Sequence, residues 1–241
     1  MPTEKILFQE SDGVATLILN RPDQGNAVDL EMMRAIEESL DELNENRRSQ
    51  VLVIRGEGKD FCARLDLGRQ NGRVKELHEH YEQVARVNHL LRSFPGVSLT
   101  LVQGKTSGFG FGLAAQSDLT IAEENARFAF PVIRSGQPPT LPISYLGRLI
   151  PRKKAFELLI MGKEINAHQA EQFGVVNLVV KAGSLQVEGQ AWVSQLLAIE
   201  GAALGACKEF FRSTAHLSIE DTAQHGVAFL VNFLAAKNLR P

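Results

Sequence analysis

The chain has 241 residues, 44% of them hydrophobic and 22% charged, which supplies one substantial core and too little length for two large independent domains. A formal net charge of -2 argues against a nucleic-acid partner, since phosphate-backbone binders present a face rich in Lys and Arg. Cys62 and Cys207 lie far apart and outside any metal-ligand spacing, so reduced thiols are expected, with no disulfide framework and no metal site.

Met1–Glu10 carries no basic stretch leading into an apolar core and cleavage site, and no apolar run reaches bilayer length, so a cytoplasmic protein without a membrane partner is expected. Lys5–Glu10 and Val14–Asn20 read as strands joined at Ser11-Asp12-Gly13, because Asp-Gly readily supplies the left-handed positions of a hairpin turn. Arg21-Pro22 ends the second strand. Asp29 is placed to cap a helix whose apolar residues Leu30, Met33, Ile36, Leu40 and Leu43 recur at helical spacing, and Val51–Ile54 then reads as a buried strand. The pattern repeats with a helix over about 74–92, a strand at Val97–Gln103, a glycine-rich turn opening a short helix, and a strand at Leu119–Ala122. From Pro151 onward the pattern is mainly helical. Gly162 and Gly174 read as stops, and Asn166 with Gln169 as a capping-box start. The whole predicts an α/β fold.

The stretch Gly104-Lys105-Thr106-Ser107-Gly108-Phe109-Gly110-Phe111-Gly112-Leu113 follows a strand and opens a helix. Its glycines serve either tight strand–helix packing or anion stabilisation by unpaired helix-start amides. The spacing fits neither the phosphate loop nor the dinucleotide fingerprint. Taken with Asn20-Arg21-Pro22, Asn26-Ala27, Phe61-Cys62-Ala63-Arg64-Leu65-Asp66-Leu67 and Ser117-Asp118-Leu119-Thr120-Ile121-Ala122, this loop completes an ordered motif set that resembles the crotonase (enoyl-CoA hydratase/isomerase) superfamily. The likeness extends over nearly the whole of residues 1–241. It implies a ββα spiral core over about 1–183 and a helical C-terminal trimerisation region over about 184–241, assembled as a trimer or a dimer of trimers.

The resemblance also implies a coenzyme A thioester, or one on a carrier protein, as substrate rather than a permanently bound cofactor. Its thioester oxygen would be gripped by the backbone amides of Ala63 and Phe109, the latter standing where the family usually has a glycine. Pantetheine would thread past Ala27, Arg64, Leu65, Asp66, Gly108 and Gly110, with Arg21 and Lys208 as phosphate contacts. Arg64 either binds an anionic group or folds outward to a surface acid. The chain ends at Leu239-Arg240-Pro241 without the acidic-Gly and aromatic-Leu-Lys-Arg segment usual in the family.

The departures concern proton transfer. Gly112 and Val132 stand at the two positions where hydratases carry glutamate, and neither side chain moves a proton. Pro139 replaces an acid found in dehalogenase-like relatives. Leu77, His80, Tyr81, Val84, Val87 and Leu91 form an inward-looking stripe by helical spacing. His80 is therefore either a replacement acid–base group or a hydrogen-bonded histidine at the core edge, and Tyr81 a hydrogen-bond donor. Ser107 lacks a histidine and acid beside it, so no nucleophilic triad is indicated. Two functions remain: an enzyme that stabilises an enolate, as an isomerase, decarboxylase or hydrolase rather than a standard hydratase, or a non-catalytic acyl-thioester-binding or assembly protein.

Overall fold

A computed structural model describes residues 4–66, 68 and 74–238. Met1–Thr3, Leu67 and Leu239–Pro241 lie outside the described residues. β1 (Ile6–Ser11) and β2 (Val14–Leu19) form an antiparallel hairpin with Ser11 opposite Val14. Asp12 and Gly13 both take positive φ, 51° and 78°, the two-residue turn whose twist matches its strands. α1 (Leu30–Asn46) begins at Asp29, whose carboxylate accepts the Met32 amide at 2.9 Å. Met32, Met33, Ile36, Leu40 and Leu43 form its buried face. β3 (Val51–Gly56) follows, then α2 (Val74–Ser93), β4 (Val97–Val102), β5 (Lys105–Ser107), α3 (Phe109–Gln116) and β6 (Leu119–Glu123).

The remaining chain gives β7 (Arg127–Ala129), α4 (Thr140–Leu149), α5 (Arg152–Met161), β8 (Glu164–Asn166), α6 (Ala167–Gln172), β9 (Leu178–Val180), α7 (Leu185–Leu197), α8 (Gly201–Thr214) and α9 (Ile219–Asn238). Gly162 caps α5 at φ 55°, and Asn166 and Gln169 form the full capping box of α6. Six strands make one sheet in the order β1-β2-β3-β4-β6-β9, parallel from β2 onward, with α7 packed on β4 and β6. β5, β7 and β8 make a second sheet that sequence patterning did not anticipate. Strands of three residues are too short to display a period of two.

β4 is buried along its whole length although Ser98 and Thr100 are polar. Asp118 accepts from both the amide and the hydroxyl of Ser98 at 2.8 Å, and Thr100 pairs with Ser117 at 2.6 Å, so no polar group is left stranded there. The stripe expected on α2 is corrected in part. Val84, Val87 and Leu91 are buried, but Leu77 and His80 are half-buried and Tyr81 is 38% exposed. Gln83 and Asn88 take the remaining inward positions. No helix among the described residues is long and apolar enough to cross a membrane.

Asp29 also binds Lys5 and Arg21, each at 2.9 Å. Burial pushes its carboxyl upward, but the Met32 amide, Lys5 and Arg21 outweigh that and hold it below the usual aspartate range. A group depressed on folding lends stability above its unfolded value, about 4, and loses it as pH falls through the folded value. Asn caps a helix about as well as Asp, so Asp29→Asn removes only the two ion pairs and is expected to lower stability at pH 7 by roughly 0.2–1 kcal/mol, read as a lower urea midpoint. The gap between the two proteins should close as pH is lowered below about 4.

Candidate functional site

The site is assembled where two loops meet across the edge of the second sheet. Cys62 makes a parallel bridge with Thr106: its amide donates to the Lys105 carbonyl at 3.1 Å, and the Ser107 amide donates to the Cys62 carbonyl at 2.8 Å. This sets residues 63–65 beside the start of α3. A side chain at Gly110 would meet the Cys62 Cβ at 2.5 Å and its carbonyl oxygen at 2.7 Å, so only glycine lets helix and loop approach this closely. Cys62 is completely buried, and that burial pushes its thiol up to about 12. It is a packing residue, not a nucleophile.

A second bridge, Val28 with Leu65, anchors the far end of the loop through Val28 N–H to the Arg64 carbonyl (3.1 Å) and Asp66 N–H to the Val28 carbonyl (2.8 Å). Neither bond uses the Leu65 amide. The Ala63 amide, by contrast, donates to the Gly25 carbonyl at 2.8 Å, so the expected donor is already spent on the fold. At the neighbouring loop Gly108 turns the chain with φ 58° and donates to the Ala129 carbonyl at 2.9 Å, while Gly112 makes the first helical bond back to Gly108 at 3.0 Å. The Phe109 side chain is buried in the core. Among the described residues, no hydrogen bond occupies the amides of Leu65 and Phe109.

Beside these loops a cavity of about 630 Å³ is lined by Pro22, Asp23, Gln24, Gly25, Lys59, Asp60, Ala63, Arg64 and Lys105. Its three cations against two carboxylates suit a phosphate-bearing ligand. Asp60 is structural, accepting the Lys105 amide at 2.8 Å. Arg64 lies half-exposed with Asp66 at 3.4 Å, so it lines the cavity and also meets an acid on its own loop. Lys59 and Lys105 were not singled out in the sequence, because nothing local marks an exposed lysine as facing a cavity.

Two expected phosphate contacts are committed elsewhere. Arg21 donates to the Ala27 carbonyl (2.8 Å), to Asp29 and to Gln24, tying the turn after β2 to the start of α1. Ala27 is fully buried under that turn. Lys208 donates to the Gly96 carbonyl at 3.0 Å and to Asp118 at 2.6 Å and lies over the Phe94 ring, holding α8 to the core. Burial lowers its ammonium value while Asp118 raises it. Both cations serve packing, and a lone basic residue carries no sequence mark that separates the two roles.

His80 keeps a buried Nδ1 without a partner among the described residues, but it sits twelve positions before Arg92 on α2, about 18 Å along the axis. Arg92 bonds α3 through Gln116, whose amide donates to the Gly112 carbonyl at 3.2 Å. No hydrogen bond among the described residues links His80 to Gly112. Val132 lies in the short 3-10 turn Pro131–Ser135, held beside α3 by Phe130 stacking on Phe111 with centroids 4.4 Å apart. The two positions without glutamate are thus in neighbouring segments, as the motif order implies.

Residues 9–239 match the enoyl-CoA hydratase/isomerase family. The mitochondrial enoyl-CoA hydratase domain-containing protein 3 of Xenopus laevis is 27% identical over 238 residues, covering 98% of this chain and 81% of that one. The 4-chlorobenzoyl coenzyme A dehalogenase-2 of an Arthrobacter species is 27% identical over 228 residues, 92% of this chain and 83% of that one. Among solved structures, an enoyl-CoA hydratase of Mycobacterium smegmatis superposes with a TM-score of 0.90 at 30% identity, covering 99% of this chain and 93% of the other. With fold, motif order and this match in agreement, the chain belongs to the enoyl-CoA hydratase/isomerase, or crotonase, family.

Proposed function

We propose that the protein is an enzyme acting on an acyl thioester of coenzyme A or a carrier protein, and that it holds the thioester oxygen between the amides of Leu65 and Phe109. The observation that carries this reading is the pair of unspent N–H groups on two loops locked together by the Cys62–Thr106 bridge. Removing one donor of such a pair typically costs roughly a hundredfold to a thousandfold in rate. The cavity with Lys59, Arg64 and Lys105 on its wall takes the phosphate-bearing end of the carrier.

The chemistry that fits is enolate formation without a glutamate. Decarboxylation meets this best, because departure of carbon dioxide itself leaves the electron pair that the two amides stabilise; isomerisation and thioester hydrolysis follow, and standard hydration ranks last. The absence of a proton-transferring side chain at Gly112 and Val132 favours a second reading, a non-catalytic acyl-thioester binder. Assembly follows from α9, where Val227, Leu230, Val231 and Leu234 recur on one face with 47–66% exposure. Covering that face with another copy gives the trimer or dimer of trimers that the family fold suggests.

Leu65→Pro deletes one donor while leaving both bonds of the Val28 bridge intact. Incubated with malonyl-, methylmalonyl- and enoyl-CoA thioesters and followed by mass spectrometry, wild type should lose carbon dioxide from a malonyl-type substrate. Leu65→Pro should fall by roughly a hundredfold or more with calorimetric affinity retained. Undiminished turnover would overturn the oxyanion assignment, and tight binding with no mass change across the panel would support the non-catalytic reading. Light scattering after gel filtration should give a trimer or hexamer mass for wild type and a monomer for the Val227→Glu, Leu230→Glu double variant.

A further inference from the structure

The space beside Gly112 is occupied. A Cβ at this residue would lie 2.8 Å from the Tyr145 hydroxyl oxygen and 3.8 Å from its Cζ, closer than side-chain atoms tolerate. A glutamate at 112 and Tyr145 in this position exclude one another. The phenol comes from α4, where the fully buried Leu146 anchors the helix and Tyr145 itself is half-buried against the core. Its hydroxyl forms no hydrogen bond with any described residue, so its proton is free to meet a bound ligand or water.

The surroundings are polar and positively charged. The Arg92 guanidinium donates to the Gln116 carbonyl oxygen, the Gln116 amide donates to the Gly112 carbonyl at 3.2 Å, and Arg212 of α8 donates to the Arg92 carbonyl at 3.0 Å. Arg92 is the charged group that acts on the phenol, with Arg212 behind it. Burial raises the Tyr145 phenol well above its ordinary value, and the facing Arg92 only partly offsets this. Gly112 itself lies one helical turn beyond Phe109, about 5 Å along α3 from the free amide.

We infer that Tyr145, filling the place left at residue 112, transfers the proton to and from the substrate α-carbon, with Arg92 facing the phenolate that results. The inference rests on the acyl-thioester reading. In decarboxylation the bond from the α-carbon to the carboxylate breaks, carbon dioxide leaves, and the electron pair is held as enolate on the thioester oxygen. That pair then returns to form a carbon–hydrogen bond with the Tyr145 proton, and the phenolate regains a proton from water. With a saturated thioester the same step runs in both directions: phenolate removes an α-proton, and in deuterium oxide the phenol returns a deuteron.

Butyryl-CoA incubated with the full chain in deuterium oxide, with α-hydrogen exchange followed by nuclear magnetic resonance and affinity by calorimetry, tests this. Because the phenol titrates above its ordinary value of about 10, exchange should rise about tenfold per pH unit between about pH 7 and 10. Tyr145→Phe, which keeps the ring, should lose at least about a hundredfold of that rate with affinity unchanged, and His80→Ala should keep it. Exchange retained in Tyr145→Phe, a profile that levels near pH 7 and vanishes in His80→Ala, or bound butyryl-CoA with no exchange in wild type would each overturn the role of Tyr145. Failure of wild type to bind the thioester at all would overturn the acyl-thioester reading and this role with it.

Discussion

Two hydrogen bonds, Cys62 N–H to Lys105 and Ser107 N–H to Cys62, decide the geometry of everything else at the site. They join a loop from the end of β3 to the strand that feeds α3, two segments more than forty residues apart. Once they are made, the loop cannot slide and the first turn of α3 must lie against it, with Gly110 pressed on Cys62. The buried thiol, unreactive at neutral pH, is the filler that lets this contact close. Among the described residues, the Leu65 and Phe109 amides then remain without partners. Unpaired donors in a protein interior are expensive, and the proposed thioester oxygen would satisfy both.

The same economy explains the charged residues. Arg21 and Lys208 are consumed by carbonyls and carboxylates that the fold would otherwise strand, Arg21 at the start of α1 and Lys208 between α8 and Asp118. Lys59, Arg64 and Lys105, by contrast, line the cavity. The polar cluster behind Gly112 belongs to neither group: it joins α2, α3, α4 and α8 around one phenol.

What the sequence displays well is what depends on near neighbours. The Asp29 cap, the buried run Val51–Ile54 and the Asn166–Gln169 box are each written within a few residues, and each is found in the structure. The motif order likewise leads to the fold and the family. What the sequence hides is decided at long range. Whether Ala63 or Leu65 keeps a free amide depends on Gly25, nearly forty residues earlier. Whether residue 112 opens onto empty space depends on Tyr145, thirty-three residues later. Helical periodicity brought His80 and Tyr81 inward, but the stripe is buried only from Gln83 onward, because the first turns of α2 project beyond the core.

The central claim is that the thioester oxygen is polarised by the Leu65 and Phe109 amides. Isotope-edited infrared spectroscopy of bound butyryl-CoA carrying carbon-13 at the carbonyl tests it without requiring turnover. The carbonyl band should shift to lower frequency than in free solution, with most of the shift lost in Leu65→Pro. A band at the solution frequency, from thioester shown by calorimetry to be bound, would contradict it.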